Sequence, residues 1–177
     1  MASTASVSGV GLLVRDCAAA DVDLLEHALP TGGTAAHAAL FARQLGGDAT
    51  YLTAWQDGAP VGSGLIRWAG HRNPDSRAAL SDCPEISNLH VAPAAQGRGV
   101  GTALIAEAEA RITHRGFTRV SIGVGEDNPR AQDLYARLGY HDTGLREVSR
   151  YDYPGADGVL REVVEHDILL IKGLRPA

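Results

Sequence analysis

The chain is nearly without lysine. Lys172 is the only one, and the other 15 of its 16 basic residues are arginines. No lysine stands near any glycine run, so a GxxxxGK[ST] phosphate loop is excluded. Cysteine occurs twice, at Cys17 and Cys83. Two cysteines without metal-ligand spacing give no zinc framework and at most one bridge; two buried thiols in a reducing compartment is the reading adopted. His27, His37, His71, His114, His141 and His166 are scattered and make no HxxxH or HExxH pair, so no metal is expected. The GxSxG elbow of esterases is missing too, and Ser63 in "GSG" lies in hairpin sequence. No apolar run is long enough to span a membrane. The start, MASTASVSG, has neither a basic end nor an apolar centre, so it reads as a frayed leader over 1–9 rather than a secretion signal. A cytoplasmic location follows as the expectation. Positive charge is in deficit: the net charge is −5, which weighs against a nucleic-acid partner and favours a cationic small molecule.

What is present suits one globular domain, placed at 10–174. The 177 residues are 45% apolar and 21% charged, enough to bury a core without staples. Leu12 to Arg15 reads as a first strand, DCAAADVDLLEHAL as a helix stopped by Pro30, and Ala35 to Leu45 as a second helix. The period then changes to two: TYLTAW and PVGSGLIRWA form a hairpin about Asp57-Gly58. HRNPDSRAALSDC is expected to be an irregular loop. PEISNLHVAP is a strand, Gly101 to His114 a helix closed by Gly116, and TRVSIGVG a strand. NPRAQDLYARLGY opens a helix with Asn128 as N-cap and Pro129 first, ended by Gly139. Two last strands, Tyr140 to Asp152 and Glu162 to Ile171, flank the turn PGADG. The order β-α-α-β-β-β-α-β-α-β-β makes one α/β domain with a mixed sheet.

The chemistry concentrates in LHVAPAAQGRGVGTALI, residues 89–105. A dinucleotide GxGxxG would need glycine where Thr102 stands, and an acid ending the next strand, which VSIGVG lacks. Glycines let a backbone approach a ligand and turn consecutive N–H groups into one concavity. The helix that follows adds unsatisfied N–H groups and partial positive charge, together suited to a pyrophosphate. Arg98 can add a charge-assisted contact.

Gln96-Gly97-Arg98-Gly99-Val100-Gly101, in the form Q/R-x-x-G-x-G/A between a strand and a helix, resembles the pyrophosphate loop of the GNAT (Gcn5-related N-acetyltransferase) superfamily. EISNLHVAP before it resembles the family's central strand, NPRAQDLYARLGY its next motif, and the order of elements agrees along nearly the whole chain. The resemblance implies the GNAT fold, acetyl-CoA as co-substrate and transfer of the acetyl group to a primary amine by direct attack. It implies coenzyme contacts at Leu89, His90, Val91, Gln96, Gly97, Arg98, Gly99, Val100, Gly101, Thr102, Asn128, Arg130 and Tyr135. The backbone N–H groups of Leu89 and Val91 would meet the pantetheine arm.

Such a transfer needs a base for an amine of pKa about 10.4, a donor for the oxyanion and a proton for the leaving thiolate. The resemblance points to Glu85 as base, by its spacing to Gln96, and to Tyr135 as acid. A buried Glu can have its pKa raised into the working range; His90, Asp82, Asp152 and Asp167 are rivals. Regular strand geometry would put Glu85, Ser87, Leu89 and Val91 on one face, although the family often bulges this strand. Tyr135 also lies on its helix's apolar stripe, and Asn128 caps its helix whatever else it does.

By the same resemblance the acceptor enters between ALPTGGTAA and REVSRYDYPGADGVLREVVEHD. The second segment leans acidic, with Glu147, Asp152, Asp157, Glu162, Glu165 and Asp167 against Arg146, Arg150 and Arg161. A mixed-charge surface strand pair is the first account of that charge, and an amine-bearing acceptor is the hypothesis beside it. Homodimerisation through the last strands is common in the family. A catalytically silent acyl-CoA sensor, and an ester- or other-acyl transferase on the same scaffold, are the alternatives; only an enzyme needs both Glu85 and Tyr135.

Overall fold

The computed structural model describes residues 6–7, 11–30, 35–154 and 160–175. Among these residues eight strands form one sheet: β1 (Ser6–Val7), β2 (Leu12–Asp16), β3 (Ala49–Gln56), β4 (Ala59–Arg67), β5 (Glu85–Val91), β6 (Arg119–Gly125), β7 (His141–Pro154) and β8 (Leu160–Gly173). Their spatial order is β1-β2-β3-β4-β5-β6-β8-β7. Only β5 and β6 run parallel; every other neighbouring pair is antiparallel. The helices are α1 (Val22–Ala28), α2 (Ala36–Leu45), α3 (Pro74–Ala79), α4 (Val100–His114) and α5 (Pro129–Arg137). The β3–β4 turn takes left-handed φ at Asp57 and Gly58, as a two-residue hairpin requires. Most of PGADG and all of TGG lie outside the described residues.

One expectation fails. HRNPDSRAALSDC is not wholly irregular, because Pro74–Ala79 is a short helix. Asn73 caps it, its side-chain oxygen accepting from the N–H groups of Asp75 at 2.9 Å and Ser76 at 3.4 Å, with Pro74 in the first turn.

The helices cover opposite faces. Against one face, α1 and α2 pack a small core of Leu25, Leu29, Tyr51 and Leu65. Against the other, α4 contributes Val100, Leu104, Ile105, Ala108 and Ile112 to the main core with Val14, Leu52, Ile66, Ile86 and Ile122. Leu134 and Tyr135 of α5 join that same core.

Strand β5 is irregular in a way that matters. Ser63 opposes His90 and Leu65 opposes Ser87, so β5 carries one residue more than β4 across that interval. Asn88 takes it up with φ +50°, a left-handed conformation that Asn tolerates better than most residues. Ser63, Leu65 and Arg67 alternate on one face of β4, so their partners His90, Ser87 and Glu85 share that face. Leu89 and Val91, set by regular alternation beside Glu85, instead join the main core under α4. The bulge is the physical reason for this correction. Pairing of β5 with β6 is confined to Glu85–Ser121 and Ile86–Ile122.

Gly62 on β4 lets α4 sit close. A Cβ there would lie 2.9 Å from Val100 Cγ1 and 3.0 Å from the His90 carbonyl oxygen. Gly62→Ala is therefore expected to cost roughly 1–3 kcal/mol by overpacking, read as a lower urea midpoint at unchanged slope. An unchanged midpoint would show that the helix does not depend on this contact.

Candidate active site

The loop between β5 and α4 begins with a 3₁₀ turn, Pro93–Ala95, followed by Gln96 in extended conformation. Gly97 and Gly99 then take φ +76° and +84°, where a side chain would be strained. Gly99 caps α4 without a side-chain hydrogen bond. The first backbone N–H with a helical acceptor is that of Ala103, to Gly99 O at 2.9 Å. The N–H groups of residues 97–102 have no acceptor among the described residues. Six unpaired amides at the positive end of a fifteen-residue helix are an arrangement suited to an anion.

That loop is one wall of a groove of about 440 Å³. Leu89, Val91, Gln96, Gly97, Gly99, Val100, Gly101, Thr102, Asn128, Arg130 and Tyr135 all line it. Arg98 is exposed and not among the lining residues, and His90 sits on the other face of the sheet. Gln96 ties the walls together: its Nε2 donates to Val91 O at 3.3 Å, and Arg130 Nη1 donates to its Oε1 at 2.8 Å. Asn128 accepts from Ala131 N–H at 3.1 Å, so its capping role is real beside its place in the groove. Ala95, Ala131, Leu134 and Arg137 also line the groove and were not foreseen. Spacing on α5 held the signal, since Arg130, Leu134 and Arg137 recur at helical intervals.

Tyr135 is buried in the groove wall beside Tyr140, the ring centroids 6.0 Å apart. Burial raises its phenol above the ordinary value, so it stays protonated at neutral pH. Its hydroxyl has no hydrogen-bond partner among the described residues, which leaves a donor free to face a ligand. Tyr140 is committed elsewhere: its hydroxyl donates to Glu109 at 2.8 Å, and Glu109 also holds Lys172.

Glu85 opens β5 on the opposite face, with 9% of its surface exposed. Arg67 Nε lies 3.4 Å from Glu85 Oε2 and 3.0 Å from Ser87 Oγ. His71 Nδ1 lies 3.3 Å from Glu85 Oε1 and 3.7 Å from Glu147 Oε2. Burial pushes the Glu85 carboxyl up to about 7, Arg67 opposing the shift and Glu147 adding to it. The Arg67 guanidinium is itself lowered to about 10, mainly by burial. Neither Arg67, His71 nor Glu147 was singled out around Glu85 from the sequence, because they come from β4, the following loop and β7.

The rivals for a base fare differently. Asp82 is exposed in a turn, and the side chain of Asp152 lies outside the described residues. Asp167 is half-buried and raised, first by burial and then by neighbouring acids. His90 is lowered by burial and by His37. His37 is fully buried and spoken for: its Nε2 donates to Leu29 O at 2.8 Å and its Nδ1 accepts from the Tyr51 hydroxyl. Both cysteines are free and buried. Among the described residues no group of three or more His, Cys, Asp or Glu could hold a metal ion, and no helix is long and apolar enough to cross a membrane.

The profile of the Acetyltransferase (GNAT) family matches residues 22–140. The chain belongs to the GNAT family. It is 33% identical over 95 residues to an uncharacterised N-acetyltransferase of Mycobacterium bovis, an overlap of 54% of each chain. It thus spans about half the length of the curated relatives it matches. Its GNAT fold is shared with the ribosomal-protein-S18-alanine N-acetyltransferase of Escherichia coli (TM-score 0.63, 20% identity, 94% of this chain and 96% of that one). It is shared equally with a phosphinothricin acetyltransferase of Sinorhizobium meliloti solved with AcCoA (TM-score 0.65, 21% identity, 95% and 94%). A PaiA N-acetyltransferase of Thermoplasma acidophilum, solved with coenzyme A, gives a TM-score of 0.63 at 13% identity over 93% and 99%.

The position of Glu85 has a consequence for stability that does not depend on catalysis. From about pH 4.5 to 7 the native carboxyl holds a proton that the unfolded chain has lost. The native state binds more protons there, so this group's contribution falls as pH rises and is lost above about 7. Glu85→Gln removes that slope. Relative to wild type it should gain on the order of 1–3 kcal/mol between pH 5 and 8, measured by urea unfolding at each pH. A constant difference would place Glu85 at an ordinary carboxylate pKa.

Proposed function

We propose that the protein is an acetyl-CoA-dependent N-acetyltransferase that moves the acetyl group to a primary amine of a small molecule or peptide by direct attack. One observation carries this reading. A single bulged strand has on one face of the sheet a groove lined by unpaired backbone amides and an unpartnered tyrosine, and on the other a buried carboxyl poised near neutral pH. Family membership and the relatives solved with AcCoA or coenzyme A support the choice of co-substrate. The domain spans 10–174 on the same reading.

The residues divide the work. The amides of 97–102 hold the diphosphate, with Arg130 and Arg137 beside them. Leu89 and Val91 line the path toward Tyr135, and their N–H groups meet the pantetheine arm and polarise the thioester carbonyl. Glu85 takes the proton that leaves the acceptor's ammonium group, freeing the nitrogen lone pair to attack the carbonyl carbon. When the tetrahedral adduct collapses and the C–S bond breaks, Tyr135 gives its hydroxyl proton to the departing thiolate, and the second proton released by the nitrogen as the amide forms restores the phenol through solvent. Half-buried Asp167 and Glu147 extend negative potential toward the acceptor side, which favours a cationic amine.

Release of free coenzyme A thiol from acetyl-CoA, across amines, peptides and aminoglycosides, tests the reading. Glu85→Gln is expected to lose on the order of 10²–10⁴ in kcat/KM at neutral pH and to recover part of it at high pH, where the amine is neutral. Tyr135→Phe should lower kcat with little change in KM for acetyl-CoA. Tight acetyl-CoA binding with no turnover on any acceptor would point instead to a sensing module.

A further inference from the structure

The tautomer of His71 is fixed by its surroundings. Gly70, at φ +80°, turns the chain after β4; a Cβ there would strike Cys83 O at 2.8 Å. The turn sends His71 under the sheet, where 2% of it is exposed. Its Nε2 is 2.9 Å from Ser121 Oγ, and Ser121 Oγ donates to Pro84 O at 3.3 Å. With the hydroxyl proton committed to a carbonyl, Ser121 accepts from His71, so Nε2 carries the proton of the neutral ring. Burial lowers the ring's pKa, so the neutral form dominates at neutral pH. Nδ1 is then a lone pair, and what it faces is two carboxylates, Glu85 Oε1 at 3.3 Å and Glu147 Oε2 at 3.7 Å.

Three acceptors in a dry site repel unless a proton lies between them. Glu147 Oε2 is buried and has no hydrogen-bond partner among the described residues, which is the mark of that missing proton. Arg67 from β4 balances the Glu85 oxygen that does not face His71. Arg72 beyond the turn and Asp167, cross-strand neighbour of Glu147 on β8, act on Glu85 at longer range.

We propose that His71 and Glu147 are positioning residues that hold one exchangeable proton jointly with Glu85, so that the three side chains receive the acceptor's proton as a single unit. The proposal rests on Glu85 being the base. In the step, the acceptor's N–H bond breaks and an O–H bond forms on Glu85. The proton then passes from Oε1 to His71 Nδ1, giving an imidazolium between two carboxylates, and it leaves to solvent after the product. No electron moves and no further reactant is needed. The arrangement stabilises the one-proton state over the empty one, and such coupled groups titrate together rather than singly.

The test is the pH profile of kcat/KM in four proteins. His71→Gln keeps a group within reach of Ser121 but deletes the one facing the carboxylates, and Glu147→Gln removes one charge without changing shape. Each should move the acid limb to lower pH by on the order of one unit, so that at pH 6 each keeps a several-fold larger fraction of its own plateau than wild type. In the double variant the shift should fall short of the sum of the two. Lower plateaus with an unmoved limb, or strictly additive shifts, would overturn the proposal. ¹⁵N NMR of the His71 ring separates this from the assignment of the base. Shared titration requires Nδ1 to change with the midpoint of the acid limb and to lose that step in Glu85→Gln. If Glu85→Gln stays active, the base assignment fails even where the NMR step is present. If Glu85→Gln is inactive but Nδ1 shows no such step, the sharing fails alone.

Discussion

One left-handed residue in the middle of a strand organises this molecule. By absorbing an extra position at φ +50°, Asn88 reverses the alternation of β5. Glu85 and Ser87 before it face the α1–α2 side; Leu89 and Val91 after it face α4 and the groove. In an unbroken strand the carboxyl and the groove-lining residues would share a face. The bulge also coincides with the end of pairing between β5 and β6, so the strand is free of that neighbour where the groove begins. A ligand threading past this strand can therefore meet the unpaired loop amides on one side and the Glu85 carboxyl on the other.

The two sides are built on opposite electrostatic terms. On the groove side the positive charge is distributed over backbone amides and surface arginines, and it can remain solvated until an anion arrives. On the other side Arg67, His71 and Glu85 are buried together with half-buried Glu147 beside them, and burial together with Glu147 raises the Glu85 carboxyl. A single ion pair of Arg67 and Glu85 would hold the carboxylate ionised; burial and Glu147 outweigh it and bring the group to about 7. The main core beneath α4 keeps both sides in register, and Gly62 sets how closely that helix can approach.

Much of the fold was legible in the sequence because it rests on local signals. Asp57-Gly58 made the hairpin, Asn128-Pro129 opened α5, and Gly116 and Gly139, both at positive φ, ended their helices. The groove followed from Gln96 to Gly101 and from Tyr135, since the residues that build it fall in two short segments, 89–102 and 128–137, each with a local signal of its own. The short helix after Asn73-Pro74 was missed although its cap was in plain view, because six residues give too little periodicity to detect. The bulge left one trace, an Asn amid β-formers in EISNLHV, and Asn is poorly suited to a regular strand. What could not be read was the surroundings of Glu85. Arg67, His71 and Glu147 reach it through sheet pairings and a turn spanning eighty residues of chain, and only the fold brings them together.

On the proposed function, the unpaired amides from Gly97 to Thr102 hold the diphosphate of coenzyme A. The most direct test is a ¹H–¹⁵N correlation spectrum of the labelled protein titrated with coenzyme A, alongside pantetheine, which lacks the diphosphate. Coenzyme A should shift the Gly97, Gly99, Val100 and Gly101 amides strongly, and pantetheine should leave them nearly unmoved. Loop amides that respond equally to both, or to neither while other surfaces move, would contradict the account.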